Sequence, residues 1–246
     1  MNRIAIIAAL DREIAPFVNG WKRGVLACQH RELSCYRNGD MAVVIGGIGS
    51  RQAELAARAA VAELHSQALI SAGLGGAIIR TLKVGSVFVP NLIVDAAMRT
   101  EYRCNAGTGI SCGGILVSAS EIAGPESKKS LADQFHALVV DMEAAAVARV
   151  ASETKTGFFC VKAISDELDS QLPPLNRFVD GAGRFQTSRF ATWAALRPQW
   201  WPATVRLARD SQRATRALCD WLGTHMTANF AAPPVVTLDG ADFPKR

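Results

Sequence analysis

No apolar run in this chain reaches the ~18 consecutive residues that a membrane-crossing helix needs. The opening residues also lack the long apolar stretch and small-residue cleavage site of a secretory leader, and they run directly into Asp11 and Glu13. A mature chain that begins here, in the cytoplasm, is the expectation. The six cysteines (Cys28, Cys35, Cys104, Cys112, Cys160 and Cys219) contain no C-x-x-C pair and no histidine partner pattern, so neither a zinc site nor a disulfide framework is expected. Lysine and glutamate are missing between Arg177 and Trp221, where eight arginines face three aspartates. That surplus of +5 equals the formal net charge of the whole chain, so the remainder is neutral and the basic character belongs to one segment. What is present, 246 residues with 49% hydrophobic and 20% charged, fits one sizeable α/β domain of enzyme type.

Residues 4–9 read as a buried strand, followed by the turn Leu10-Asp11-Arg12 and by Glu13 at a helix start. Residues 25–28 and 33–37 alternate as a hairpin would, and 41–45 form the next buried strand. That strand ends in Gly46-Gly47-Ile48-Gly49-Ser50, before a helix whose apolar face carries Ala53, Ala56, Ala57, Ala60, Val61 and Leu64. A glycine turn ahead of a helix can offer backbone N–H groups to an anion, or can simply be a tight turn with Ser50 as N-cap. A second glycine-rich turn, Gly73-Leu74-Gly75-Gly76, follows residues 69–72, and a strand is predicted over 87–94. Gly113-Gly114 opens another strand over 115–118, with Ser120-Glu121-Ile122-Ala123 after it.

Two further β-branched runs, 138–140 and 158–164, lead straight into Asp141-Met142-Glu143 and Ser165-Asp166. Parallel strands commonly deliver chemistry at such carboxyl ends. Between them an Ala-rich helix is predicted over 144–151, with Asp141 as N-cap and Glu143 in its first turn. One acidic residue at a strand end is more often a cap or a solvated charge than a catalyst.

The ordered set, however, resembles the nucleoside phosphorylase superfamily, particularly its methylthioadenosine/adenosylhomocysteine nucleosidase branch. Asp141-Met142-Glu143-Ala144 and Ala163-Ile164-Ser165-Asp166 match the ribose-binding and general-acid motifs of that family. The likeness spans roughly residues 3–168 and implies an α/β three-layer sandwich, with a twisted mixed central sheet flanked by helices. It further implies that Glu143 grips the ribose hydroxyls beside Met142, that Asp166, oriented by Ser165, protonates the departing purine, and that Glu13 handles the attacking water. Gly73 and Gly75 would pass close to the ribose, Ile122 would face the base where the nucleosidases carry an aromatic, and Gly47, Gly49 and Ser50 would flank the water or phosphate. Leu74 stands where a serine is usual, which leaves the nucleophile open: water poised by Glu13, or inorganic phosphate as co-substrate held by glycine-loop amides and Arg12 or Arg51. No metal and no organic cofactor is implied, and a homo-oligomer is.

Past residue 170 the chain continues well beyond the family's usual end, giving three expected parts: a catalytic core over 1–170, an Arg/Trp-rich helical extension over 171–225, and a loosely ordered tail over 226–246. After Pro173-Pro174, a helix with Pro202 in its first turn has Trp200, Leu207, Ala214, Leu218 and Trp221 on one face and Arg206, Arg209, Arg213 and Arg216 nearly opposite. Such a helix over 200–221 suits an anionic membrane surface. It equally suits packing on the core or on a second subunit, with a solvated basic face. Nucleic acid is not expected, because no nucleic-acid motif accompanies the arginines. The extension, Gly124-Pro125-Glu126-Ser127-Lys128-Lys129 and Val139-Val140-Asp141-Met142-Glu143 are similar to the hopanoid-associated phosphorylases. That likeness implies removal of adenine from adenosylhopane, a lipid-linked nucleoside, by a cytoplasmic protein peripheral at the inner membrane face. The rival readings are a methylthioadenosine or adenosylhomocysteine nucleosidase, and a noncatalytic nucleoside-binding protein.

Overall fold

The computed structural model describes residues 3–29, 31–104, 110–226 and 236–238. In chain order the strands are β1 (Ile4–Ala8), β2 (Lys22–Cys28), β3 (Arg31–Asn38), β4 (Met41–Ile45), β5 (Ala68–Ala77), β6 (Val87–Phe88), β7 (Leu92–Asp95), β8 (Thr100–Arg103), β9 (Ile115–Ser118), β10 (Val139–Asp141), β11 (Gly157–Asp166) and β12 (Val236–Leu238). The helices are α1 (Asp11–Ile14), α2 (Ser50–Leu64), α3 (Pro125–Phe135), α4 (Ala144–Thr154), α5 (Thr187–Ala195) and α6 (Trp201–His225). The uncharged runs of β1 and β5 are buried along nearly their whole length, as strands covered on both faces must be, whereas β2, at the sheet edge, buries only Leu26.

All twelve strands join one mixed sheet, in the order β12-β8-β7-β9-β10-β5-β1-β4-β3-β2, with β11 and β6 branching from β5. The branch point is what builds the site. Along one edge β5 pairs with β1 only at Ala68 to Ser71, and with β10 only at Gly76 and Ala77. The other edge is occupied by β11 from Ala68 to Gly76. Residues 72–75 therefore face a gap between two strand partners, and β1, β10 and β11 all end near it.

Helices α2 and α4 pack against each other over β1, β4 and β5, while α6 packs with α1 over β11 and β5. This is the mixed sheet flanked by helices, with a C-terminal helix added, that the motifs implied. The alanines of α4 allow the close approach: Ala144 to Ala146, Ala148 and Ala151 are all buried.

Several local expectations need correction. The stretch Gly73 to Gly76 is not a turn but the end of β5, because its backbone is held by β11. The strand expected over 87–94 is divided into β6 and β7 at Pro90, which has no N–H for the ladder. Ser50 does not cap α2: the cap position is Gly49, with φ 101°, and Ser50 is the first helical residue. Asp141 lies two residues before the cap position of α4, which Glu143 occupies, yet its carboxylate still accepts the Ala144 N–H at 2.9 Å.

In the extension, Ala214, Leu218 and Leu222 on α6 are fully buried in the same core as the sheet, and Trp221 stacks on Phe159 of β11 at 5.8 Å. The apolar stripe of this helix thus faces protein. Phe178, Phe190 and Trp193 form a small aromatic cluster with ring centroids 5.3 to 6.1 Å apart. Among the described residues no helix is long and apolar enough to cross a membrane. Most of the tail expected over 226–246 lies outside the described residues; within it, β12 pairs antiparallel with β8.

Candidate active site

Glu13 enters from α1, just past the end of β1, and is 8% exposed. It accepts the Leu74 N–H from the stretch of β5 that faces the gap, and Gly73 is what lets it in: a Cβ there would lie 3.3 Å from Glu13 Oε2 and 3.6 Å from Lys162 Nζ. Burial, and next the charge of Glu143, push the Glu13 carboxyl up to about 7, against the opposing pull of Lys162 and Arg12.

Glu143 accepts the Gly49 N–H at 2.9 Å through Oε1, and its Oε2 is 3.9 Å from Lys162 Nζ. Burial raises its pKa, with Lys162 opposing. Behind it, Asp141 holds Lys162 at 2.8 Å and accepts the Ser118 hydroxyl at 2.6 Å. Burial by itself would lower the Lys162 pKa, but Asp141 and then Glu143 outweigh it and hold the ammonium above its usual value. A buried cation therefore sits among two buried carboxylates, Glu13 and Asp141, and the partly buried Glu143.

On the other side, Asp166 ends β11. Its Oδ1 lies 2.8 Å from the Ser165 hydroxyl, and its Oδ2 is paired with the Lys128 ammonium. The Glu121–Ile122 loop is fastened from the extension: Asn176 accepts the Ile122 N–H at 3.0 Å and reaches the Glu121 carboxylate at 3.2 Å.

Of the residues singled out in the sequence, Glu13, Gly75, Ile122, Met142, Glu143, Ser165 and Asp166 line one cavity of about 570 Å³. Gly47 and Gly73, with Glu143 and Lys162, line a second of about 10 Å³, the size of one water. Gly49 meets the site only through its N–H, and Ser50 is exposed and lines neither cavity. Arg12 lines the large cavity with its guanidinium 5.1 Å over the Phe185 ring, whereas Arg51 is exposed and outside it.

The glycine turn has little to offer an anion. Gly46, Gly47, Ile48 and Gly49 donate their N–H groups to Ala8 O, Ala9 O, Gly183 O and Glu143, at 2.8 to 3.1 Å. The third acceptor comes from a strap of the extension, residues 180–184. Gly183 there has φ +71°, and a Cβ on it would lie 2.6 Å from Ile48 O. Arg31 fastens the strap through the Ala182 carbonyl at 3.1 Å.

Sequence reasoning did not assign Lys128, Lys162 or Asn176. Two of these had a visible signal: Lys162 interrupts the apolar run Phe158 to Ile164, and Lys128 falls on the apolar face of α3 with Leu131, Ala132 and Phe135. Among the described residues, no group of His, Cys, Asp and Glu is arranged to hold a metal ion.

The Phosphorylase superfamily model matches residues 91–188. An aminodeoxyfutalosine nucleosidase of Campylobacter jejuni is 24% identical over 206 residues, which is 68% of this chain and 86% of that protein. The 5′-methylthioadenosine nucleosidase of Arabidopsis thaliana superposes with a TM-score of 0.70 at 17% identity, over 91% of this chain and 94% of that one. The 5′-methylthioadenosine/S-adenosylhomocysteine nucleosidase of Helicobacter pylori superposes with a TM-score of 0.66 at 16% identity, over 91% and 97%. The matched segment contains both acidic strand ends, and the fold shared with these nucleosidases extends over nine-tenths of the chain.

Proposed function

We propose that this protein is an N-glycosidase that releases adenine from a 5′-substituted adenosine, with water as the nucleophile. What carries the reading is the convergence of Glu13, Glu143 and Asp166 on one cavity between β1, β10 and β11. Asp166 gives its proton to the purine N7 as the C1′–N9 bond breaks, so that the leaving group departs neutral. Glu143 accepts hydrogen bonds from the ribose hydroxyls beside Met142, and Ile122 lies against the base. Glu13, with its pKa near 7, takes the proton of a water that attacks C1′. The occupied turn amides and the one-water cavity beside Gly47 and Gly73 favour water over phosphate.

For the 5′ group we propose an apolar, lipid-linked substituent, most specifically that of adenosylhopane in hopanoid biosynthesis. The support is the outer wall, where residues 171–225 contribute Leu172, Leu175, Phe185, Phe190 and Leu207 to a cavity whose reacting carboxylates all come from residues 1–170. Docking on the cytoplasmic membrane face belongs to the same proposal. Trp201 and Val205, 53% and 68% exposed, share the solvent face of α6 with Arg206, Arg209 and Arg216. A homo-oligomer is proposed on the family resemblance alone.

The experiment compares adenine release from adenosylhopane and from methylthioadenosine, each with and without phosphate. The expected result is preference for the lipid-linked substrate and no dependence on phosphate. Preference for methylthioadenosine would move the assignment to the nucleosidases named above, and a rate proportional to phosphate would overturn water. Asp166→Asn is expected to lose about 100-fold or more in turnover.

A further inference from the structure

Lys128 is 1% exposed, although it lies in the first turn of a helix and next to Lys129, which is exposed. Gly124 starts that helix by accepting the Lys128 N–H at 2.9 Å, which turns the side chain inward along the face of Leu131, Ala132 and Phe135. The ammonium then meets two acceptors, Asp166 Oδ2 and, at 2.8 Å, the Glu167 carbonyl. Room for it exists because position 76 has no side chain: a Cβ on Gly76 would lie 3.0 Å from both Lys128 Cε and Asp166 Oδ2. The neighbouring charge that could compete, the Glu167 carboxylate, is turned outward to Lys83 at 2.9 Å. With the Ser165 hydroxyl on Oδ1, both oxygens of Asp166 are engaged, one by a neutral group and one by a cation.

From this geometry we infer that Lys128 is a positioning residue for leaving-group protonation, acting entirely through Asp166; the inference rests on Asp166 being the acid. As Asp166 passes its proton to the purine, the C1′–N9 electron pair goes to the ring and the carboxyl becomes a carboxylate. The ammonium keeps its own proton throughout. Its attraction to Asp166 is greater once the carboxylate carries full charge, so the pair stabilises the proton-transferred side of the step more than the side before it. Two fixed partners also hold the carboxyl plane at one orientation toward the base. Asp166 recovers its proton from water after adenine leaves.

The test is a double-mutant cycle read by single-turnover adenine release, with Lys128→Met, Lys128→Arg, Asp166→Asn and the Lys128→Met/Asp166→Asn pair. Lys128→Met is expected to lower kcat about 100-fold with KM changed by less than about threefold, and Lys128→Arg to restore most of the loss. In the Asp166→Asn background the same methionine substitution is expected to cost nothing further. If Lys128→Met is too unstable to assay, the double variant, in which neither charge is left unpaired, still carries the test. A further loss on top of Asp166→Asn, or a Lys128→Met enzyme with full turnover, overturns the inference. If Asp166→Asn itself releases adenine at the normal rate, the acid assignment fails instead, and the two failures are told apart.

Discussion

At the scale of single residues, Glu13 sets the pH behaviour of the proposed mechanism. It must be ionised to take a proton from water, so kcat/KM is expected to fall tenfold per unit below about pH 7, and a pH–rate profile without that acidic limb would remove Glu13 as base. The stability consequence has the opposite sign. The folded pKa, about 7, lies above the ordinary 4.5, so the residue's contribution to stability is fully present below pH 4.5 and is lost as pH rises through 7. Glu13→Gln is therefore expected to melt above the wild type at pH 8, by an amount worth up to about 3 kcal/mol, and to show no such advantage at pH 4. Lys162 behaves differently because it is structural as well as local to the site. Lys162→Met leaves Asp141 buried with no cation and is expected to cost about 3–5 kcal/mol in denaturant unfolding. The acids at the two strand ends were legible in sequence, because each follows an apolar run directly. The two buried lysines were passed over: Lys128 and Lys129 are the same residue type side by side, and only the direction of α3 buries one and exposes the other.

At the scale of elements, the glycines of β5 show where local reading stops. A run such as Gly73-Leu74-Gly75-Gly76 has the propensity of a turn, yet here glycine is required by what approaches from outside the strand: Glu13 and Lys162 at one position, Asp166 and Lys128 at another. Propensity is a property of neighbours along the chain, and these neighbours are remote in it. Helix α6 gives the converse case. Its two faces were visible as a period of 3.6, but periodicity does not say what covers the apolar one, and the partner is β11 and β5. The membrane-facing part of the proposal therefore rests on the outward side. Arg209→Gln with Arg216→Gln is expected to weaken binding to anionic vesicles about tenfold or more, and Trp201→Ala to weaken the salt-resistant remainder. Unchanged vesicle binding in both variants would return α6 to a purely packed helix with a solvated basic edge.

At the scale of the whole molecule, the extension is part of the core and part of the site at once. Ala214, Leu218, Leu222 and Met226 are buried in the same cluster as β1, β5 and β11, so a chain ending at residue 170 would expose that face of the sheet. Such a truncation is expected to aggregate on expression, and a monodisperse, adenine-releasing product would show that the extension is dispensable. The strap at Gly183 and the clamp at Asn176 tie the same segment to the glycine turn and to the Glu121–Ile122 loop. By itself the sequence determined the α/β class and the order of the acidic motifs, because apolar periodicity and short motifs are written in consecutive residues. Only the tertiary structure decided that β5 changes partners and leaves a gap, that the turn amides are already taken, and that a buried lysine stands behind Asp166. Each of those is a contact between groups far apart in the chain, and its geometry exists only once the sheet has closed.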